Sequence, residues 1–248
     1  MISELKGELE YLSKERVFEE LKKALNTNKP SIFFDILKEA NVLDIHFKEI
    51  YNLIGAEQPV EYHPEGDAYN HTMLVLDKTS NLTEKFDEKR KLEIRFSALV
   101  HDIGKGTTPK EQYPHHYGHE ERGTFLLEKL KNRITLPKNW IECGKTACKE
   151  HMRGGIFYKM KPSTKVGFIE RISKSKLGLD GLQIIVDSDK VEREEKTTNN
   201  FETIGRRCLK EIDGEYIKNK YNIKQGIKFG IKLHEERINW MKNFCNNK

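Results

Sequence analysis

Apolar residues recur along most of this chain at intervals of three and four, the period of helices that bury one side. Over residues 13–26, Val17, Phe18, Leu21, Ala24 and Leu25 form such a stripe behind Ser13, whose hydroxyl suits a helix N-cap. Pro30 and Ser31 then open a second short helix carrying Ile32, Phe33, Ile36, Leu37 and Ala40. Gly55, Pro59, Pro64 and Gly66 mark residues 55–67 as a linker. Helical patterning resumes over 70–82, 89–102, 119–131, 140–151, 180–194 and 225–244. Residues 159–176 (KMKPSTKVGFIERISKSK) are the least patterned and most basic stretch, and read as a loop around one short helix. No alternating β-branched run occurs, and no Asn-Gly or Asp-Gly turn joins two such runs. The pattern predicts an all-α protein, with a small helical region over 1–56 and a larger helical domain over 57–248.

Composition narrows the class. A chain of 248 residues is ample for a real core. The mean hydropathy of -0.73 fits many charge-coated helices with narrow apolar stripes. The net charge of +5 and pI near 8.8 suit a phosphate-bearing ligand or RNA, and equally a lysine-rich solvated surface. Cys143, Cys148, Cys208 and Cys245 form neither a CxxC pair nor a zinc-finger spacing, so reduced thiols in a cytoplasmic protein are expected. The opening MISELKGELEYL has no continuous apolar run, and nothing in the sequence is long and apolar enough to span a bilayer. A soluble, cytoplasmic protein without a membrane partner is expected.

The candidate chemistry lies in histidines and aspartates at odd positions. Asp189 follows Leu182, Ile185 and Val186 by seven, four and three residues, which puts a carboxylate on the apolar stripe of its helix. Such a group needs a partner, since burying an unpaired carboxylate costs several kcal/mol. A buried salt bridge or a helix cap are the plainer explanations for it. In FSALVHDIGKGTTP, Ile94, Ala98 and His101 share a face, and the helix stops at Asp102 with Gly104 and Gly106 beyond. A helix end lets adjacent His101 and Asp102 converge on one point, and Lys105 on the turn beyond can reach an anion there. His71 precedes Leu74 and Val75 on one face. His119 follows His115, His116, Tyr117 and Gly118 into another helix, and His151 shares a face with Gly144, Ala147 and Cys148. Singly, such histidines are usually packed core residues; together with two aspartates they point to a divalent cation such as nickel, manganese, iron, magnesium or zinc. His46 and His234 read as ordinary packing or surface residues, and His63 as part of the linker.

The order His71, His101–Asp102, Asp189 resembles the signature of the HD superfamily of phosphohydrolases. The segments EYHPEGDAYNHTMLVLD, RFSALVHDIGKGTTP and YPHHYGHEERG look like the C-terminal HD domain of bacterial CCA-adding tRNA nucleotidyltransferases. ERVFEELKKAL, SIFFDILKEANVL and FKEIYNLIGAEQP resemble the helices before that domain. The resemblance runs from about residue 10 to QGIKFGIKLHEERI, and is densest over 61–123. It implies an HD-domain helical bundle with a small N-terminal helical extension, and His71, His101, Asp102 and Asp189 as metal ligands. It also implies hydrolysis of 2′,3′-cyclic nucleotides, 2′-nucleotides and simple phosphomonoesters with nickel or magnesium, in trimming or repair of RNA 3′ ends. The polymerase head of those enzymes has no counterpart in this sequence, so CCA addition is not expected. A separately encoded nucleotidyltransferase head, and tRNA itself, stand as candidate partners. The family tends to show a glycine-arginine pair after the last aspartate; here Glu192–Arg193 stands there, so Arg193 is kept in an altered backbone setting.

These readings combine into one expected mechanism. The metal would polarise the phosphorus centre and activate water, with Asp102 orienting or deprotonating it and Lys105 offsetting phosphoryl charge. His116, Arg153 and Arg193 are the candidate substrate contacts, and the basic stretch from Arg153 to Lys176 would face RNA. His119 and His151 either ligate a second metal or contact the phosphate and protonate the leaving alkoxide; the resemblance leans to one tightly held metal. Three other readings use the same scaffold: a di-iron oxygenase needing both His119 and His151, a non-catalytic RNA-binding module, and a hydrolase of 5′-monophosphates or dNTPs.

Overall fold

The structure is a computed structural model that describes residues 6–61, 63–190 and 200–246. The chain is all-α. In order it forms α1 (Lys6–Leu9), α2 (Lys14–Leu25), α3 (Ser31–Glu39), α4 (Leu43–His46), α5 (Lys48–Tyr51), α6 (Ala68–Leu82) and α7 (Glu88–Val100). There follow α8 (His119–Arg133), α9 (Lys138–Gly155), α10 (Pro162–Ser173), α11 (Gly178–Asp189), α12 (Phe201–Glu211), α13 (Gly214–Tyr221) and α14 (Ile227–Asn246). Among the described residues no strand forms; a single antiparallel bridge pairs Glu57 with Asp67 across the linker.

The helices expected over 13–26, 70–82, 89–102, 119–131, 140–151 and 225–244 are all present, within a few residues at each end. The helix expected over 180–194 is described as far as its end at Asp189, and residues 191–194 lie outside the described residues. The one short helix expected inside the loop over 159–176 is present but fills most of it: α10 is a regular twelve-residue helix with Pro162 in its first turn. Val166, Phe168, Ile169 and Ile172 bury one side of it, while Arg171 is exposed and further lysines, Lys161 and Lys174, stand exposed at its two ends. Charge crowding those ends had obscured its length.

Two apolar cores share three helices. The first gathers Val17, Leu21 and Leu25 of α2, Phe34 of α3 and Ile50 of α5 against Leu76 of α6, Phe96 of α7, Leu127 of α8 and Trp140 of α9. The second packs Val75 of α6, Ile94 and Ala98 of α7 and Ala147 of α9 against α10, α11, Phe201 of α12 and Met241 of α14. Helices α6, α7 and α9 therefore carry apolar residues on opposite sides. In α7 every residue from Leu92 to Val100 is buried. A helix enclosed all round fits the centre of a fold rather than its surface.

Burying α7 requires a solution for Arg95, which is fully enclosed. Its Nε donates to Thr83 Oγ1 at 2.9 Å, and Nη1 donates to the carbonyls of Leu25 and Thr27, each at 2.9 Å. Nη2 donates to Ser80 O at 2.8 Å and to Glu84 at 2.5 Å. All five N–H bonds of the guanidinium are thus used, and they satisfy carbonyls at the C-terminal ends of α2 and α6. A second tie works at the start of α3, where the Asp77 carboxylate on α6 accepts from Ser31 N at 3.0 Å and Ser31 Oγ at 2.7 Å. Both hold the N-terminal helices onto the helices that carry the histidines.

Candidate metal centre

Local sequence places each donor. Asp67 caps α6 by accepting from Asn70 N at 2.9 Å and also accepts from Gly55 N at 2.7 Å, which sets His71 in the first turn. Helix α7 ends at Val100; His101 keeps helical backbone angles and Asp102 departs from them at φ -114°. The two side chains of the dipeptide then point to a common centre, as the helix-end reading required. A 3-10 turn over Ile103–Thr107 follows. Gly104 is required there, because a Cβ at that position would lie 1.9 Å from the carbonyl oxygen of His119. That close approach brings the start of α8 against the turn. His119 opens α8 behind Gly118 at φ +72°, His151 lies in the last two turns of α9, and Asp189 is the final residue of α11.

The imidazoles share one orientation. Each commits Nδ1 to an acceptor outside the centre: His71 to Glu65 at 2.5 Å, His101 to Ala98 O at 2.8 Å, His119 to His116 O at 2.8 Å and His151 to Ala147 O at 2.9 Å. With Nδ1 donating, Nε2 is the free face, and all four Nε2 atoms turn toward the carboxylates. His71 Nε2 is 2.8 Å and His101 Nε2 is 3.6 Å from Asp189 Oδ1. His101 Nε2 is also 3.3 Å from Asp102 Oδ2, while His119 and His151 Nε2 lie 3.2 Å and 3.3 Å from Asp102 Oδ1. Asp102 thereby stands between two donor groups: His71, His101, Asp102 and Asp189 on one side, and Asp102, His119 and His151 on the other.

This density of charge moves the titrations. Burial, the strongest influence on His101, acts to lower its pKa, but the Asp102 and Asp189 carboxylates outweigh it and raise it to about 10. His71 and His119 move up in the same way, against burial, through Asp189 with Glu65 and through Asp102 respectively. Burial would lift the Asp102 carboxyl; the Lys105 ammonium and the His101 imidazole hold it well below the usual carboxylate range instead. Asp189 is held low against burial by His101 and His71.

A cleft of about 630 Å³ opens beside the donors and includes Lys105, His119 and Asp189 in its lining. Lys105 is almost fully buried, with Nζ 2.6 Å from Asp102 Oδ2 and donating to Gln58 Oε1 at 2.5 Å. Of the expected substrate contacts, His116 borders the cleft but has both ring nitrogens engaged, with Thr108 Oγ1 at 2.9 Å and Glu57 O at 2.8 Å. Arg153 is exposed on α9, 3.8 Å from Glu150, and is absent from the cleft lining. Arg193 lies outside the described residues.

Two participants escaped the sequence reading. Glu65 orients His71, and Gln58 receives Lys105. Both come from the irregular linker, where no period marks inward-facing positions; the one available signal was their place just before a histidine-bearing helix. His63, read as linker only, joins Glu65 at 3.1 Å. Burial acts to raise the Glu65 pKa, but the hydrogen bonds from His71, the backbone and His63 prevail and lower it to about 2.

The donor set fits a divalent cation. The Nε2 atoms of His101, His119 and His151 and Asp102 Oδ1 are buried without a hydrogen-bond partner of good geometry. Buried polar atoms are rarely left so, and here they converge with tautomers already set. Imidazole and carboxylate together suit borderline to hard divalent metals.

Residues 68–192 match the family described as HD domain, and this chain belongs to that family. Residues 1–53 match a second family, described as the probable RNA and SrmB-binding site of polymerase A. Over 167 residues, 67% of this chain, it is 41% identical to the Multifunctional CCA protein of Mannheimia succiniciproducens, covering 40% of that protein. The proteins of the same name from Haemophilus influenzae and Shewanella denitrificans are 39% and 36% identical over 165 and 167 residues. The chain spans about 40% of the length of these curated relatives.

Proposed function

We propose that the chain is a cytoplasmic metal-dependent phosphohydrolase acting on nucleotide phosphoesters, with 2′,3′-cyclic and 2′-phosphate termini of RNA, tRNA included, as substrates. The observation that carries this reading is the convergence of four Nε2 atoms on Asp102 and Asp189 beside a cleft that also presents Lys105. His71, His101, Asp102 and Asp189 would hold one divalent ion (nickel, magnesium or manganese), and His119 and His151 a second one sharing Asp102. Metal in such a site supplies Lewis acidity toward a phosphoryl oxygen and toward water. The protein's own groups do the rest. Glu65 fixes the His71 ring, Asp102 stays ionised and orients the attacking water, and Lys105 offsets charge on the phosphoryl oxygens.

The RNA side of the reading is supported by the match of residues 1–53 and by the exposed lysines flanking α10, Lys159, Lys161, Lys174 and Lys176. Charge reversal at Lys159, Lys161 and Lys165 should weaken RNA binding and flatten its salt dependence. Among the described residues no helix is long and apolar enough to cross a membrane.

The decisive experiment uses chelator-stripped protein given one metal at a time, with 2′,3′-cyclic AMP, 2′-AMP and 5′-AMP as substrates. Hydrolysis of the first two that disappears in His101→Ala and Asp102→Ala, with helical content intact, is the expected result. Silence with every metal, or activity that survives both substitutions, would sink the proposal.

A further inference from the structure

The cleft is larger than a phosphoryl group requires. At about 630 Å³ it falls within the roughly 300–1,000 Å³ typical of sites that enclose a whole small molecule. Its lining is also of two kinds. Lys105, His119 and Asp189 supply charge, whereas Tyr117, Met152 and Ile156 supply apolar surface to the same space.

The segment His115–His116–Tyr117 is built in an unusual way. Its middle residue is buried and held at both ring nitrogens, and the residues on either side are exposed. Tyr117 keeps 74% of its surface and belongs to neither core. Its ring stacks on that of His115, with centroids 5.6 Å apart and 26° between planes. The mounting is firm: Arg122 Nη1 donates to Tyr117 O at 2.5 Å, its Nη2 to Thr108 Oγ1 at 2.7 Å and its Nε to Thr107 Oγ1 at 2.9 Å. His115 N donates to Gln112 O at 2.8 Å. Two aromatic rings are thus carried on an anchored backbone, stacked on each other, and left in solvent at a cleft that also contains Lys105. Across the lining, Met152 and Ile156 are about half exposed.

We propose that the His115–Tyr117 pair is a stacking platform for the nucleobase of the substrate, with Met152 and Ile156 as its apolar neighbours. The inference rests on the phosphohydrolase reading and names the part of the substrate that reading leaves open. A base offers a planar π-face whatever its identity, so the platform selects for a nucleotide over a base-free phosphate ester and tolerates different bases. It also selects an unpaired terminal nucleotide over one inside a duplex, whose faces are already stacked.

The test compares 2′-AMP with glycerol 2-phosphate, a secondary phosphomonoester without a base, using metal-loaded protein. The ratio of their kcat/KM values should fall on the order of tenfold in Tyr117→Ala and in His115→Ala, through KM for 2′-AMP, and return in Tyr117→Phe. Tyr117 lies outside both cores, so its removal leaves the fold in place. An unchanged ratio in both alanine variants, or a Tyr117→Phe variant as poor as Tyr117→Ala, overturns the platform. If the wild-type protein hydrolyses neither ester, the phosphohydrolase reading has failed and calorimetric binding of AMP judges the platform alone. Binding that weakens by a similar factor in Tyr117→Ala supports it; equal binding, or none to the wild type, overturns it.

Discussion

The Glu65 carboxylate accepts the Nδ1 proton of His71 at 2.5 Å, which leaves Nε2 of the same ring facing Asp189 at 2.8 Å. Orienting carboxylates of this kind typically hold a factor of 10–100 in metal affinity. Glu65→Ala should therefore weaken metal binding by about that factor, with Glu65→Gln intermediate, while helical content is unchanged. Isothermal titration with nickel or manganese reads it directly. Equal affinities in all three proteins would reduce Glu65 to a linker residue.

Metal stoichiometry discriminates the roles of His119 and His151. Two donor groups sharing Asp102 predict two ions per chain by elemental analysis, falling to one in His151→Ala. One ion in the wild type, unchanged by that substitution, would reassign both histidines to contacting the phosphate and protonating the leaving oxygen.

The pH dependence of the metal-free protein has a definite sign. The folded pKa of His101 is raised to about 10 from an ordinary 6.5. Its contribution to stability is complete below pH 6.5 and is lost as pH rises toward 10. Chelated protein should lose melting temperature steadily across that window. With metal bound the ligating imidazole is neutral at any pH in the range, so the loaded protein should not show the decline. Parallel curves with and without metal would contradict the assignment of His101 as a ligand.

Arg95 offers a prediction remote from the chemistry. Replacing it by Met strands the buried carbonyl of Leu25, takes the donor from Thr83 Oγ1, and leaves Ser80 O with only Thr83 N at 3.2 Å and Thr83 Oγ1 at 3.1 Å; a stranded buried acceptor costs about 1–3 kcal/mol. Arg95→Met should lower the unfolding free energy by about 3 kcal/mol in urea titrations. A loss under about 1 kcal/mol would mean the carbonyls find water instead.

Gly104→Ala tests the join between the HD turn and α8. The added Cβ would meet the His119 carbonyl oxygen, so the two segments must separate. A loss of about 3 kcal/mol is expected, together with loss of the ion held by His119. Normal stability and full metal content would show that the turn has slack.

Much of the centre was legible in the sequence, for a physical reason. Asp189 sits on a stripe of Leu182, Ile185 and Val186, where a polar group points inward; for His71 the signal was weaker, because Val75 is buried on its face but Leu74 is exposed. His101–Asp102 stood out because glycines fix where α7 must stop. Glu65 and Gln58 were not legible, because a linker has no period from which to infer direction. Helix α10 was expected only as a short helix in a loop because the lysines crowding its two ends obscured its length, and the short α4 and α5 are too brief for periodicity to register. Arg153, read as a substrate contact at the start of the basic stretch, is exposed on α9 beside Glu150 and lies outside the cleft lining.

His71 and Asp189 are 118 positions apart in the chain and touch in the fold. The donors leave the ribosome in the order 71, 101, 102, 119, 151 and 189, and the set is incomplete until α11 has docked against α6. A growing or misassembled chain can display these histidines, but it does not bring the full donor set together. On the proposed metal reading, retention of the ion would report completed tertiary assembly, so that loading late in synthesis would select, ion by ion, for molecules that have already folded.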